Sequence, residues 1–172
     1  MALFPLSDVH KKYVRAETLV GIGFNGILSV LFAWVPFHTV AVMPLWGEKG
    51  MALDFIPTVF MITLVQTIII TVITRNRVKA GRIAPLPQAR AEYPILRMLP
   101  HNVFLRALTL AFLLSLILVP LSIGALWVLG FEEIPFIPFV AFKVVYGVAV
   151  GMLSAPLSLL AALSDKVGSS KN

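Results

Sequence analysis

One ionisable residue, Lys143, lies within an apolar stretch at 134–164 that is long enough to cross a bilayer. A lysine in the middle of such a stretch costs about 2.5–3.5 kcal/mol on insertion scales, so it needs a partner, water or a ligand. As a functional group, Lys143 would supply a counter-charge to an anionic solute, a headgroup or a cofactor. As a structural group, it would reach an acidic residue at the rim of the span, where the candidates are Asp54, Glu132 and Glu133.

Two amide side chains, Asn25 and Gln66, form a second candidate site. Each lies about eight or nine residues inside an apolar stretch, which places both about 13 Å deep at 1.5 Å per residue. An amide pair across two helices commonly stabilises their packing by about 0.6–2 kcal/mol. Alternatively, the pair and nearby hydroxyl groups would line a path for a polar solute. The hydroxyl residues assigned to this polar site are Thr63, Thr67 and Tyr146.

A stripe of small residues continues the helix face that carries Lys143. At 100° per residue, this face also holds Gly147, Gly151, Ser154 and Ser158. Small side chains allow a neighbouring helix to approach closely. The stripe therefore predicts a helix-packing surface, with Lys143 directed toward protein or a cavity and away from lipid.

Four apolar stretches must position these side chains, and each reaches the 20 or so residues that span about 30 Å of hydrocarbon. We predict helices at about 18–43, 55–74, 107–130 and 135–163, with a basic cytoplasmic loop at 75–106. The first stretch is too long for a signal-peptide core, so we expect that helix to be retained. The predicted fold class is all-α integral membrane, a four-transmembrane-helix bundle forming a single membrane domain over 1–172.

An internal resemblance at an offset of 81 residues predicts a repeat. A Leu-Trp pair at 45–46 and a Phe-Ile-Pro triplet at 55–57 recur at 126–127 and 136–138. Coincidence among apolar residues is the alternative. As a true duplication, the chain would consist of two parallel helical-hairpin repeats, related by an axis along the membrane normal.

Basic residues dominate the charge of the chain, which is +6 in total, and they predict its orientation. The terminal segments hold Lys11, Lys12, Arg15, Lys166 and Lys171. The central loop holds Arg75, Arg77, Lys79, Arg82, Arg90, Arg97 and Arg106. By the positive-inside rule, both termini and the loop are cytoplasmic, and the expected location is the cell (inner) membrane.

The central loop also mixes apolar side chains with its arginines, so it is expected to lie in the headgroup region. Contact with anionic lipids is the first interpretation, and a docking surface for another protein is the alternative. We assign Arg75, Arg77, Lys79, Arg82, Arg90 and Arg97 to this lipid- or partner-binding loop. No nucleic-acid partner is expected, because juxtamembrane residues already account for the basic charge.

Several kinds of chemistry are disfavoured because the sequence lacks the residues or spacings that they need. It has no cysteine, which excludes thiol redox chemistry and thiolate metal ligands. His10 and His101 are predicted on the opposite side of the membrane from His38, so we predict no metal site. No catalytic motif is recognisable, and we predict no enzyme activity and no cofactor, although a bound lipid is compatible with the pattern.

The element order resembles that of four-helix bacterial inner-membrane proteins, with an asparagine in helix 1 and an acidic turn before the Phe-Ile-Pro triplet of helix 2. This resemblance implies a location but no activity. Our leading hypothesis is a non-enzymatic accessory or structural subunit of a membrane complex or homo-oligomer, with lipids, itself or other membrane proteins as partners. The rival is a small oligomeric transporter or channel using Lys143 and the Asn25/Gln66 polar face. A third hypothesis is lipid or pigment binding between the helices.

Overall fold

Four long helices form the body of the protein, whose computed structural model describes residues 7–47 and 50–165. The elements in chain order are α1 (Asp8–Phe37), β1 (Val42–Pro44), α2 (Met51–Lys79), α3 (Ala89–Glu92), α4 (Pro94–Met98), α5 (Val103–Val128), β2 (Glu133–Pro135) and α6 (Phe136–Leu163). Helices α1, α2, α5 and α6 are long and apolar enough to cross a membrane. The chain is a multi-pass membrane protein with an all-α four-helix bundle, which confirms the predicted fold class. Lys49, Lys166 and Lys171 lie outside the described residues.

The four spans pack side by side in the order α1, α6, α2, α5. Helices α2 and α6 are central, whereas α1 and α5 flank them and expose apolar side chains such as Ile27 and Leu116. Exchanging the first hairpin (α1, α2) with the second (α5, α6) reproduces the same order in reverse. Two parallel repeats related by an axis along the membrane normal would pack in this way. The duplication itself stays a prediction.

Two short strands join the hairpins at one end of the bundle, which we call the strand end. β1 and β2 pair in antiparallel orientation. Next to them, the Leu45 N–H donates to the Glu132 carbonyl at 2.7 Å, and the Phe136 N–H donates to the Ala41 carbonyl at 3.0 Å. The all-α prediction omits this pairing, which arises because the two adjacent connections satisfy each other's backbone groups.

The segment between α2 and α5 covers the opposite end, which we call the loop end. Its side chains Leu86, Leu96 and Leu99 are buried in one apolar cluster with Leu160 and Leu163 of α6. The Leu86 N–H also donates to the Leu163 carbonyl at 2.8 Å. This segment is therefore part of the folded bundle and does not extend away from it.

Helix α1 differs from its predicted bounds of 18–43 at both ends. It begins at Asp8, where the Ser7 side chain accepts a hydrogen bond from the His10 N–H. It ends at Phe37, directly after Pro36. Hydropathy locates only the apolar part of a helix, whereas a cap and a proline determine where its hydrogen-bond ladder starts and stops.

The predicted central loop at 75–106 is shorter than expected because the neighbouring helices extend into it. Helix α2 runs from Met51 to Lys79 instead of 55–74, and α5 begins at Val103 instead of 107. The Asn102 side chain caps α5 by accepting hydrogen bonds from two backbone N–H groups of its first turn. The basic residues of the predicted loop that belong to these two extended helices are Arg75, Arg77, Lys79 and Arg106.

Candidate functional site

A line of buried polar side chains runs between α1, α2 and α6, and we call it the polar seam. Its members are Asn25 and Ser29 on α1, Asp54, Thr58, Gln66 and Thr67 on α2, and Lys143, Ser154 and Ser158 on α6. The polar side chains of the seam are buried against protein and do not lie on the lipid-facing surface. Their partners decide whether the seam is structural or able to bind a solute.

Lys143 forms an ion pair with Asp54 near the strand end of the polar seam. Its Nζ lies 2.5 Å from Asp54 Oδ2 and 2.5 Å from Thr58 Oγ1. The Thr58 hydroxyl donates to the Asp54 carbonyl at 2.7 Å, so its oxygen accepts from the ammonium group. The Lys143 side chain is fully buried and that of Asp54 is 8% exposed. The structure thus pairs Lys143 with one of its three candidate acids.

Asp54 lies in the first turn of α2, although the apolar pattern predicts a helix that begins only at residue 55. A carboxylate is favourable there because the first turn carries the positive end of the helix dipole. Glu132 and Glu133, the other candidate partners, are exposed at the strand end. Helix α2 therefore contributes an acid and α6 a lysine, and the two charges compensate each other.

Asn25 and Gln66 meet as the sequence predicts, in the middle of the polar seam. The Asn25 Nδ2 donates to Gln66 Oε1 at 2.7 Å, and the Ser154 hydroxyl donates to the same oxygen at 2.9 Å. The Gln66 Nε2 donates to the Gly151 carbonyl at 3.4 Å. One amide therefore connects all three helices, which is the arrangement expected of interhelical hydrogen bonds that stabilise packing.

Two glycines of α6 make room for the α1 side chains of this cluster. A Cβ built on Gly147 would overlap Ser29 Oγ, and one built on Gly151 would overlap Asn25 Nδ2. The small-residue stripe therefore packs against α1 of the same chain. It is not a free surface.

We expect Gly147→Ala to destabilise the bundle by about 1–3 kcal/mol, the usual cost of overpacking. The matched control is Gly124→Ala, because a Cβ there has no neighbour within 4 Å and both changes bring the same gain in helix propensity. Unfolding by a denaturing detergent, followed by circular dichroism, measures the difference. Equal stability of the two variants would contradict a close approach of α1 to α6.

The remaining residues of the predicted polar site are not gathered around Lys143. Thr67 Oγ1 lies 2.9 Å from Ser158 Oγ, and Tyr146 Oη accepts from the Ser122 hydroxyl of α5 at 2.9 Å. The Thr63 hydroxyl is buried and makes no hydrogen bond within the described chain. Thr67 and Tyr146 therefore tie neighbouring helices at separate levels.

Lys143 and the amide cluster are also distinct from each other. Gly151, whose carbonyl binds Gln66, lies eight residues after Lys143, which corresponds to about 12 Å along α6. The two candidate sites named from the sequence are therefore separate in the structure: an ion pair near the strand end and an amide cluster at mid-span.

A second buried ionic cluster lies at the loop end, and the sequence patterns do not point to its central residue, Asp165. Its Oδ1 accepts from Arg106 Nη2 at 2.6 Å, and its Oδ2 accepts from Arg75 Nε at 2.9 Å. His101 Nδ1 lies 3.1 Å from Oδ1. Arg106 also donates to the Pro100 carbonyl at 3.0 Å. Asp165 thereby joins the ends of α2, α5 and α6.

The position of Asp165 explains why it needs two arginines. It follows the C-terminus of α6, where the helix dipole disfavours a negative charge. Burial by itself raises the pKa of Asp165, but hydrogen bonds and charge from Arg106 and then Arg75 outweigh burial and hold this pKa below its usual value. An acid directly after an apolar stretch is the sequence signal that could have identified the cluster.

The residues assigned to the lipid- or partner-binding loop divide into three groups. Arg75 and Arg77 form ion pairs, Arg75 with Asp165 and Arg77 with Glu17 of α1. Arg90 and Arg97 donate to carbonyl oxygens of their own segment. The other two, Lys79 and Arg82, are exposed at the loop end. Only part of the predicted basic surface is therefore available to a lipid or a partner.

Surface cavities lie at both ends of the bundle. One of about 420 Å³ at the strand end lies between Trp46 and Trp127. Two at the loop end, of about 320 and 390 Å³, are lined in part by Arg82 and by Arg97 respectively.

Comparison with protein-family models, with curated proteins and with solved structures finds no match to this chain.

Proposed function

We propose that this chain is a non-enzymatic inner-membrane protein that acts as an accessory or structural subunit of a membrane complex or homo-oligomer. One observation carries the proposal: the ionisable and amide side chains of the polar seam bind one another. Lys143 is neutralised by Asp54, and Gln66 is shared by Asn25 and Ser154. An interior built in this way holds helices together, whereas a coupled transporter keeps ionisable groups accessible to its ions.

The interface in this proposal differs from the one that the small-residue stripe first indicates. Gly147 and Gly151 are occupied by α1 of the same chain, so they are not offered to a partner. The flanking helices α1 and α5 remain, with apolar side chains such as Ile27, Leu31 and Leu116 exposed. Partner helices would pack there, in competition with lipid.

The orientation in the proposal follows from the charge at the two ends. Exposed basic side chains, among them Lys12, Arg15, Lys79, Arg82 and Arg97, lie at the loop end. By the positive-inside rule this end faces the cytoplasm, together with both termini. The strand end, with exposed Glu132 and Glu133, would then face outward.

Single-cysteine cross-linking tests the subunit proposal, because the sequence has no cysteine of its own. We expect Ile27→Cys or Leu116→Cys, on the two flanks, to give a discrete cross-linked species in native membranes. Val145→Cys, an exposed position on central α6, is the matched control and should give none. The mass of the species distinguishes a homo-oligomer from a complex with another protein.

The contrary result is a monomer at both flank positions and in native mass spectrometry. Transport would be the second candidate in that case, and one observation favours it: Lys143 and Asp54 are ionisable residues buried in a span, where such residues commonly mark ion pathways. Vesicles containing the protein would then show a solute flux that is lost when Lys143 and Asp54 are replaced together. The subunit proposal expects no flux that depends on this pair.

A further inference from the structure

A basic cavity at the loop end has features that neither the helix packing nor the proposed subunit role explains. Its volume is about 390 Å³, and it is lined by Arg90, Arg97, Met98, Leu99, Pro100 and His101. Two arginines and a histidine therefore line one opening. We propose that this cavity binds the phosphate of an anionic phospholipid headgroup.

The two arginines are held in place by backbone oxygen atoms. Arg90 Nε donates to the Leu96 carbonyl at 2.9 Å, and its other nitrogens contact the Leu99 carbonyl and His101. Arg97 Nε donates to the Arg90 carbonyl at 3.2 Å. These bonds orient both side chains before a ligand arrives, which lowers the entropic cost of binding.

Among the described residues, the two arginines of the cavity have no carboxylate partner, whereas the third basic residue of the lining, His101, contacts Asp165. In the described part of the chain, Arg90 and Arg97 form no ion pair with an acid. Glu92, the nearest acid in sequence, is exposed, and Asp165 is already bound by Arg75, Arg106 and His101. A phosphate group would supply the missing negative charge and suits the planar donors of arginine.

The cavity lies at the level of the lipid headgroups along the membrane normal. Helix α5 has 26 residues and so is about 39 Å long, which exceeds the roughly 30 Å of the hydrocarbon core. Residues directly before α5 therefore lie at headgroup level. The lining residues Arg97 to His101 precede its first residue, Val103, by only a few positions.

The rim of the cavity distinguishes a lipid from a free phosphate ion. Met98, which follows Arg97 in the chain, belongs to the cavity lining and is 68% exposed. Ile95 and Phe104, on either side along the chain, are also exposed. Apolar side chains do not stabilise a bound soluble anion, whereas a phospholipid would place its acyl chains against them.

Native mass spectrometry of the whole protein from vesicles of equal parts phosphatidylglycerol and phosphatidylcholine tests this site. We expect the protein to retain phosphatidylglycerol preferentially. In Arg97→Gln, which loses one hydrogen bond to a charged group, retention of this lipid should decrease about tenfold or more. Arg15→Gln, which removes an exposed arginine from α1, is the matched control and should keep the preference. Thermal unfolding of both variants shows whether the segment remains folded.

Two results would overturn the assignment. Equal loss of phosphatidylglycerol in Arg97→Gln and Arg15→Gln would show that retention reflects general surface charge. Binding of inorganic phosphate that depends on Arg97, without any preference between the two lipids, would assign the cavity to a soluble anion. The inference does not depend on the subunit proposal, since lipid retention is measured on the isolated protein.

Discussion

Replacing Lys143 with methionine should lower the free energy of unfolding by about 3–5 kcal/mol, among the largest effects expected from one substitution. The reason is that Asp54 stays within the bundle, 8% exposed, after its ammonium partner is removed. A buried carboxylate without a partner is far more costly than the lost attraction between the two charges. Unfolding in a graded mixture of mild and denaturing detergents, followed by circular dichroism, measures the change.

The matched control for this prediction is Lys79→Met, which removes an exposed lysine from the same bundle and should change stability by at most about 1 kcal/mol. The double variant Asp54→Asn/Lys143→Met removes both charges and should recover most of the loss. A double variant as unstable as Lys143→Met would show that the cost comes from lost side-chain packing and not from an uncompensated charge.

Replacing Asp165 with alanine should cost a similar amount, about 3–5 kcal/mol, because it leaves the fully buried guanidinium group of Arg106 without a carboxylate. Arg75 would also lose its acidic partner, and the ends of α2, α5 and α6 would lose their common contact. Asp8→Ala is the matched control, since the Asp8 side chain is 98% exposed in its pair with Lys11. That change should cost at most about 1 kcal/mol.

The Asp165 cluster should also make stability depend on pH in the acid range. Because folding lowers the pKa of Asp165, its contribution is fully present above the unfolded value of 3.8 and is lost as pH falls through the lower folded value. The stability difference between the protein and Asp165→Ala should therefore be constant near neutral pH and shrink below about pH 3.8. A difference that persists unchanged in acid would contradict an ionic role for Asp165.

The contacts of Asn25 and Gln66 illustrate what sequence reasoning predicts correctly about the interior. Their depth follows from counting residues at 1.5 Å each, and equal depth on two helices of one thin bundle brings them together. The stripe of small residues that includes Gly147 and Gly151 also predicts close packing, because residue size limits how near a second helix can approach. The pattern does not say that α1 of the same chain fills the stripe.

The clusters that depend on helix ends are harder to predict. Asp54 belongs to the span only because α2 begins at Met51, and Arg106 is buried only because α5 begins at Val103. Hydropathy places both starts later than the structure does, because Asp54 and Arg106 interrupt the apolar run in the first turn of each helix. An acid directly after an apolar stretch singles out Asp165, but its two arginine partners are remote in sequence, so no local pattern indicates which residues it contacts.

The sequence by itself determined the four spans, the all-α class and the concentration of basic residues at one end, since length, hydropathy and charge are properties of each segment alone. The tertiary structure decided which acid pairs with Lys143, that the small stripe is filled by α1, and that α2 and α6 form the centre. These outcomes depend on the order, rotation and register of packed helices. Such quantities arise from contacts between segments that are far apart in the chain, and the periodicity of a single helix leaves them open.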